Sequence, residues 1–483
     1  MKKAIISVSD KTGLIEFSRQ LVQKYEILST GGTFEFLNGE GISAQKIEDY
    51  TGVPELLGGK VKTLHPKIFA GILCFEEEEC IPAVRLVVVN LYPLAKGEID
   101  IGGSALLRAA AKNCNQVIVV CDPNDYKEVA ERLISGEIDL EYRKALAAKA
   151  FRLTAAYDAC IASSIGKEIF PSQLTLSFTK AKELSYGENP FSRAALYLDD
   201  NKTQGSAASA TQLQGKPLSY NNILDADSAL ELVKKFDQPA CAIIKHNNPC
   251  GVAVKESACS AFSEALEGDL LSAFGGVVAF NCCVDSKTAE ALKKRFFDLI
   301  IAPEYEQEAI EILKEKENLR ILKTGAFILS PRQRVFKEVL GGLLVQTEEA
   351  FPIQEEDWQI VTRKKPTKEE VQDLLFAAKV NQEVKSNSTV IAKNRVAIGI
   401  GGGQTSRIDS VLLALRKANQ KTRGAVLSSD GFFPFVDSIE SAAQAGITAI
   451  IQPGGSKKDK EVIEACDRHG ISMILTGKRL FKH

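Results

Sequence analysis

The chain has 483 residues, 45% of them hydrophobic and 25% charged, the balance of an ordinary globular protein of about three domains. Lys plus Arg number 60 against 62 Asp plus Glu, a net charge of -2. That excludes a global basic field for nucleic acid or an anionic membrane, so any anionic ligand must be held locally.

No apolar run approaches membrane-spanning length, and the opening MKKAIISVSDKTG runs into a strand-turn-helix pattern rather than a signal segment. Eleven scattered cysteines without a Cys-x-x-Cys spacing read as reduced thiols in a cytosolic protein. In chain order, AIISV, EILST, VRLVVVN and QVIVV read as strands. Leu14, Phe17 and Leu21 recur at helical spacing after the first, and Ala105 to Ala111 form a helix before the last. Such alternation predicts a parallel sheet covered by helices.

Asp10 and Thr12 lie where the first strand turns into the first helix, and Ser29 to Thr33 follow the second strand. Both junctions offer free N–H groups to a phosphate. KVKTLHP, from Lys60 to Pro66, sets two lysines two apart beside an apolar run, which favours phosphate or carboxamide binding over a solvated turn. In DIGGSALLRAAAK, Asp100 either caps the helix or joins the glycine N–H groups in holding an anion or oxyanion. A helix over Glu141 to Ile165 closes this domain, and Pro171 to Lys180 is the passage to the next.

From Leu184 onward come seven polar, Gly-rich turns: YGENP, KPLSYNN, KHNNPCG, SAFGG, GIGGGQTSR, SSDGFFPF and QPGGS. Strand ends hold ligands in open α/β sheets, so several of these turns are expected to share a pocket. The most informative is ACAIIKHNNPCGVA, where an apolar run delivers Lys245 and His246 into an Asn-Asn-Pro-Cys-Gly turn. The run alone fits a general base and a core-edge histidine bonded to a carbonyl equally well.

The charged stretch Glu348 to Glu370, with Trp358, reads as a surface connection into a helix over Glu369 to Asn381. VAIGIGGGQTSR fails the dinucleotide template because Gln404 stands where a glycine is required. What survives is a strand-loop-helix junction with Arg407 at its mouth, suited to an anion. Pro249-Cys250 lacks the second cysteine of a zinc deaminase, with Ala253 in its place, so no catalytic metal is expected.

Taken together, SVSDKTG, STGGT, KVKTLHP, NLYP, DIGGSALLRAAAKN, YGENP, KHNNPCG, IAPEY, KSNS, GIGGGQTSRID, SSDGFFPF, IQPGGS and RLFKH resemble, in fixed order, one bifunctional purine-biosynthesis family. It joins aminoimidazole carboxamide ribonucleotide (AICAR) formyltransferase to inosine monophosphate (IMP) cyclohydrolase. The resemblance implies an α/β chain with a methylglyoxal-synthase-like parallel-sheet cyclohydrolase domain over residues 1–175. A formyltransferase domain of two cytidine-deaminase-like α/β halves would follow over 176–483, the halves meeting near 350–366. It further implies formyl transfer from 10-formyltetrahydrofolate to the 5-amino group of AICAR, then dehydrative closure of the product, FAICAR, to IMP. A cytoplasmic homodimer with the transferase site at its interface belongs to the same implication. So does the association of this family's transferase with a bound monovalent cation.

Motif by motif, the resemblance makes Lys245 and His246 the catalytic pair and Asn387 their partner amide, with His246 as base and the others on the formyl oxygen. Tyr186, Asn222, Arg407, Phe432, Asp437, Arg479 and Phe481 fall in motifs similar to nucleotide and folate contacts, and Asp298 matches an acidic position at the pterin. For ring closure it implies Lys62, Tyr92, Asp100 and Lys112, the last two exchanging protons, with the N–H groups beside Gly102 and Gly103 stabilising charge. Ser7, Ser9, Lys11, Gly32 and Thr33 resemble a phosphate and ribose cradle, and Thr63 a further substrate contact.

Departures from the family pattern are Ser185 before Tyr186 where arginine is common, Phe191-Ser192 after Pro190, Lys60 and Val436 at usual arginine positions, and a short link from Tyr92 to Asp100. Two other readings are a formyltransferase whose N-terminal domain only binds a nucleotide, and a nicotinamide-dependent oxidoreductase using the glycine loop.

Overall fold

The computed structural model describes residues 2–75, 81–94, 99–199, 204–327, 334–348 and 353–483, in two compact units, Met1–Ser177 and Phe178–His483. The expected α/β alternation is present in both.

The first unit runs β1 (Lys2–Val8), α1 (Leu14–Leu21), β2 (Tyr25–Ser29), α2 (Gly31–Gly39), β3 (Gln45–Lys46), α3 (Ile47–Thr51) and α4 (Pro66–Leu73). It continues through β4 (Val84–Asn90), α5 (Ile101–Lys112), β5 (Ile118–Val120), α6 (Tyr126–Ser135) and α7 (Leu140–Ile165). The five strands form one parallel sheet in the order β3-β2-β1-β4-β5. VRLVVVN lacks a period of two because β4 is central and its first six residues are all buried. The chain steps outward from β1 to β3 and restarts at β4 on the other side of β1. This places the topological switch point between β1 and β4, and a ligand crevice beyond their carboxyl ends.

In the second unit β6 (Phe178–Glu183) and β7 (Ala195–Asp199) pair as a hairpin. β8 (Thr211–Gln214), α8 (Tyr220–Val233), β9 (Ala240–Lys245), β10 (Asn248–Val254), α9 (Ala258–Leu266), α10 (Leu270–Ala273) and β11 (Val277–Phe280) follow. Then come α11 (Ser286–Lys293), β12 (Leu299–Ala302), α12 (Gln307–Leu313) and β13 (Arg320–Lys323). A second hairpin, β14 (Val335–Val339) with β15 (Gly342–Gln346), precedes β16 (Gln359–Ile360), α13 (Lys368–Asn381), β17 (Thr389–Lys393) and β18 (Val396–Gly401). The chain ends through α14 (Arg407–Ala418), β19 (Val426–Ser429), α15 (Asp437–Gln444), β20 (Ala449–Gln452), α16 (Asp459–His469) and β21 (Ser472–Leu475).

Twelve of these strands form one sheet in the order β16-β21-β20-β19-β17-β18-β10-β9-β11-β12-β13-β8. Read from either edge, the order describes the same motif twice, so the unit is an internal duplication joined where β10 meets β18 antiparallel at Ala253 and Val396. Residues of β9 alternate between two cores: Ala240, Ala242 and Ile244 pack with α8 and α13, while Cys241 and Ile243 pack with α9 and α14. Helices therefore cover both faces of the sheet.

The sequence reading expects the turn after Lys245 to run through Gly251, and the structure corrects this. Only His246 and Asn247 turn, at φ 52° and 59°, and Pro249 to Gly251 lie in β10. Two successive left-handed residues make the turn that matches strand twist in a tight hairpin. Pro249 is accommodated where the β9–β10 register shifts, between Pro249 and Gly251.

Candidate active sites

In the first unit the crevice at the switch point is built by short polar links between strand ends. The Asn90 side chain, at the end of β4, accepts from the backbone N–H groups of Ser9 at 2.6 Å and Asp10 at 2.9 Å and donates to the Asp10 carbonyl at 2.8 Å. The Ser7 and Thr30 hydroxyls are 2.9 Å apart, and the Thr33 hydroxyl accepts from the Val8 N–H at 3.1 Å. These bonds hold Ser7, Ser9 and the amino end of α2 together. Among the described residues no side chain caps α2, and none lies within 4 Å of where a Cβ on Gly32 would sit. The uncapped start of α2 leaves N–H groups for an anion, with the Glu55 carboxylate close by, 3.3 Å from where a Cβ on Gly31 would sit. Lys11 lies 5.5 Å from the centre of the Phe36 ring.

Asp100 caps α5 by accepting from the Gly103 N–H at 2.6 Å, and its own N–H donates to the Tyr157 hydroxyl at 3.0 Å. Burial pushes the Asp100 carboxyl above its ordinary range, while N–H groups of Gly103 and Tyr92 and the charge of Lys62 pull it the other way. Lys62, Tyr92 and Asp100 are thus neighbours. Thr63 joins them, since a Cβ on Gly102 would stand 2.6 Å from its hydroxyl oxygen. Lys112 does not join: it ends α5 while Asp100 caps its start, and twelve residues of helix separate them by about 18 Å. The expected proton exchange between these two is not assembled within one chain.

In the second unit the duplication brings two distant motifs to one end of the sheet centre. The Asn248 side chain, just past the His246 turn, accepts from the Lys385 N–H at 3.2 Å. KHNNP and KSNS therefore meet. Lys245 donates to the Phe274 carbonyl at 2.5 Å, which uses one of three ammonium protons. His246 is exposed. The Asp225 carboxylate of α8 accepts the Asn247 N–H at 2.7 Å.

Asn387 follows a cis peptide bond. Its amide nitrogen donates to the Gln404 and Thr405 carbonyls at 2.9 and 3.3 Å, and its oxygen accepts from Arg407 at 2.8 Å. Both amide protons are engaged, so in this geometry Asn387 holds Arg407 rather than offering a free donor. Arg407, expected at the mouth of its loop, is instead 7% exposed. It donates to the Ser388 carbonyl at 2.9 Å and pairs with the fully buried Asp430. Among the described residues its Nε and the Ser388 hydroxyl are buried polar atoms with no protein partner.

The terminal RLFKH closes over this cluster. Leu480 N–H donates to the Asp430 carbonyl at 3.0 Å and Ser386 N–H to the Lys482 carbonyl at 2.9 Å. Arg479 lies 5.3 Å from the centre of the Phe481 ring, and Phe432 and Phe481 are exposed. Asp437 opens α15, exposed, with its carboxylate on the Ser438 N–H at 2.7 Å.

Asn222 forms a reciprocal cap with Ser219, accepting its N–H at 3.0 Å, and donates to Asp298 at 2.8 Å. Asp298 in turn pairs with Arg320 at 3.1 Å. Tyr186 docks its carbonyl on the Tyr220 N–H at 3.1 Å. Ser185 donates to the Leu218 carbonyl at 3.1 Å. The nearby Arg193 side chain is 94% exposed and 3.7 Å from Glu183.

Glu383 anchors the same region. Burial pushes its carboxyl up, but Lys235 at 3.0 Å and Lys482 at 2.6 Å outweigh that and hold it below its ordinary range. A carboxyl depressed on folding stabilises fully above its unfolded value, about 4.3, and that stability is lost as pH falls through the folded value. Glu383→Gln is therefore expected to lose less stability than the parent as pH drops below about 4.3 in urea titrations. Parallel curves would contradict the assignment.

The geometry defines a two-unit α/β protein, one unit with a crevice at its switch point and the other with a lysine-histidine turn joined through Asn248 and Lys385 to the segment that holds a buried arginine. Two family models match: the MGS-like domain over residues 13–119 and the AICARFT/IMPCHase bienzyme over residues 110–417. The chain belongs to the AICARFT/IMPCHase bienzyme family, and the methylglyoxal-synthase-like character expected of the first unit is borne out. Curated relatives named bifunctional purine biosynthesis protein PurH match over 100% of both chains. They include those of Persephonella marina, 46% identical over 515 residues, and Acetivibrio thermocellus, 44% over 513. That of Anoxybacillus flavithermus is 46% identical over 509 residues.

Sequence reasoning missed Asn90, Asp225, Asp430 and Glu383 as parts of these sites. Asn90 and Asp430 lie within quoted motifs, NLYP and SSDGFFPF. Asp225 lies in a helix with no local signal beyond its spacing from Ser219.

Proposed function

We propose that the chain performs the last two steps of purine biosynthesis. Its second unit, 178–483, transfers a formyl group from 10-formyltetrahydrofolate to AICAR, and its first closes FAICAR to IMP. The observation that carries this reading is the meeting of the Lys245-His246 turn with the KSNS segment through Asn248 and Lys385.

The acceptor amine of AICAR is conjugated with its ring and carboxamide, and so needs a base as it attacks the formyl carbon. His246 takes that proton. The two ammonium protons of Lys245 left by Phe274 stabilise charge on the formyl oxygen and protonate the departing folate nitrogen. Arg407, oriented by Asp430 and Asn387, is read as holding an electronegative part of the substrate. Tyr186, Asn222, Asp298, Phe432, Asp437, Arg479 and Phe481 are read as nucleotide and folate contacts, with Asn222 acting through Asp298.

For closure, the carboxamide nitrogen attacks the new formyl group and water leaves, so the site mainly holds a ring-closing conformer. The phosphate sits at the amino end of α2 against Ser7, Ser9, Lys11, Gly32 and Thr33. Asp100, Tyr92 and Lys62, with Thr63, Gly102 and Gly103, handle charge and protons. Lys112 is left without a role within one chain.

The reading includes a homodimer, supported by the β14–β15 hairpin, where Leu340, Leu343 and Leu344 are exposed. It also places the protein in the cytoplasm. No helix among the described residues is long and apolar enough to cross a membrane. Among those residues no group of three or more His, Cys, Asp or Glu could hold a metal, and the monovalent cation rests on the family resemblance alone.

The test is to incubate the chain with AICAR and 10-formyltetrahydrofolate and identify products by chromatography and mass. IMP with tetrahydrofolate is expected. FAICAR without IMP would leave a transferase with a nucleotide-binding first unit. Asp100→Asn is expected to make FAICAR accumulate by slowing closure about 10²-fold or more, with formyl transfer unchanged. If IMP still forms at the parent rate, Asp100 has no part in closure.

A further inference from the structure

The two halves of the second unit repeat their turn chemistry as well as their strand order. Ser219 and Thr367 cap α8 and α13 with reciprocal boxes to Asn222 and Glu370. Asp225 and Asp373 stand at the same place in the two helices. Each clamps the two-residue turn of the hairpin that follows. Asp225 accepts from the Asn247 N–H at 2.7 Å, and Asp373 accepts from the Asn394 and Arg395 N–H groups at 2.8 and 2.6 Å. All four turn residues have positive φ, from 52° to 59°.

The lysine before each turn is also duplicated. Lys245 donates to the Phe274 carbonyl at 2.5 Å and Lys393 to the Arg423 carbonyl at 2.8 Å, each just ahead of a glycine at φ 69° or 70°. The halves differ in what the turn carries. One presents His246-Asn247 beside Asn248 and Lys385, the other Asn394-Arg395 at the opposite end of the β10–β18 junction, where the Val254 N–H meets the Arg395 carbonyl at 3.0 Å.

We propose that Asp225 is a positioning residue for formyl transfer: a turn clamp common to both halves, which in the first half alone fixes the backbone that aims His246 at the substrate. The inference rests on the reading of His246 as the transferase base. Left-handed backbone is costly for residues other than glycine, and a carboxylate binding successive N–H groups offsets that cost. Burial pushes the Asp225 carboxyl up, and N–H groups of Asn247 and His246 together with the charge of His246 pull it down. The carboxylate thus faces the turn it holds. Ser228 supports the same turn through a hydrogen bond to the Asn247 side chain.

The duplication supplies its own control. Steady-state kinetics on the full chain should show Asp225→Ala lowering transferase kcat roughly tenfold or more, since small misplacements of a reacting group are costly. The KM for AICAR should stay within about twofold, and cyclohydrolase turnover of supplied FAICAR should be unchanged. Asp373→Ala removes the same clamp from a turn without histidine, and its transferase kcat should stay within about twofold of the parent. Asp225→Asn, which keeps one acceptor oxygen, should fall between the parent and Asp225→Ala. If Asp225→Ala does not fold, Asp225→Asn against Asp373→Asn decides, with loss of kcat expected only in the first. Equal losses at 225 and 373, no loss at either, or a change in KM alone would overturn the proposal. Absence of formyl transfer in the parent protein would instead overturn the functional reading, so the two failures are separable.

Discussion

His246→Ala is expected to lower formyl transfer by about 10²–10⁴-fold, the span for losing a positioned general base, and to leave closure of supplied FAICAR to IMP at the parent rate. The size follows from the acceptor. An amine conjugated with an imidazole and a carboxamide must lose its proton as the new bond forms. Within the described residues the exposed His246 is the base that the turn itself presents beside Lys245. The imidazole is not spent on packing, so truncation removes chemistry rather than core. Closure serves as the folding control because its residues lie in the first unit, Met1–Ser177. Tetrahydrofolate release followed by absorbance, and IMP formation from FAICAR, are the two readouts. Near-parental transfer with intact closure would require another base.

Much of this architecture is legible in sequence because strands and helices announce themselves by local periodicity. AIISV, VRLVVVN and the helix from Leu140 to Ile165 fall where their patterns put them. The meeting of loops is less legible, since it depends on pairing between residues far apart. The turn after Lys245 meets the KSNS segment, through Asn248 and Lys385, only because β10 and β18 lie side by side, in register at Ala253 and Val396. No window of sequence contains that pairing. The duplication is hidden for a related reason. Its repeated features are single residues at fixed places, such as Asp225 and Asp373 or Gly251 and Gly399. At each of these glycines a Cβ would come within 2.1 or 2.2 Å of a helix carbonyl, Ala265 or Ala414, while the surrounding side chains have diverged. Side chains that read as ligand contacts also turn out to serve the fold first. Asn222 is a cap, and Asn387 holds Arg407.

Arg407 carries the second large effect, and it separates stability from binding. Its guanidinium is paired with Asp430, which is fully buried, and bonds the Ser388 carbonyl at 2.9 Å and the Asn387 side chain at 2.8 Å. Arg407→Met leaves Asp430 buried without its counter-charge, a loss of about 3–5 kcal/mol, measurable by urea unfolding. Removing the acid as well should change the sign of the argument, because apolar or neutral replacement of a whole buried pair is often nearly neutral. Arg407→Met with Asp430→Asn is therefore expected to recover most of the lost stability. It should not recover formyl transfer, since the guanidinium read as holding the substrate is gone in both variants. Were transfer to return along with stability, Arg407 would be a structural ion pair only, and the anion-holding role would pass to the exposed Arg479 at the chain's end.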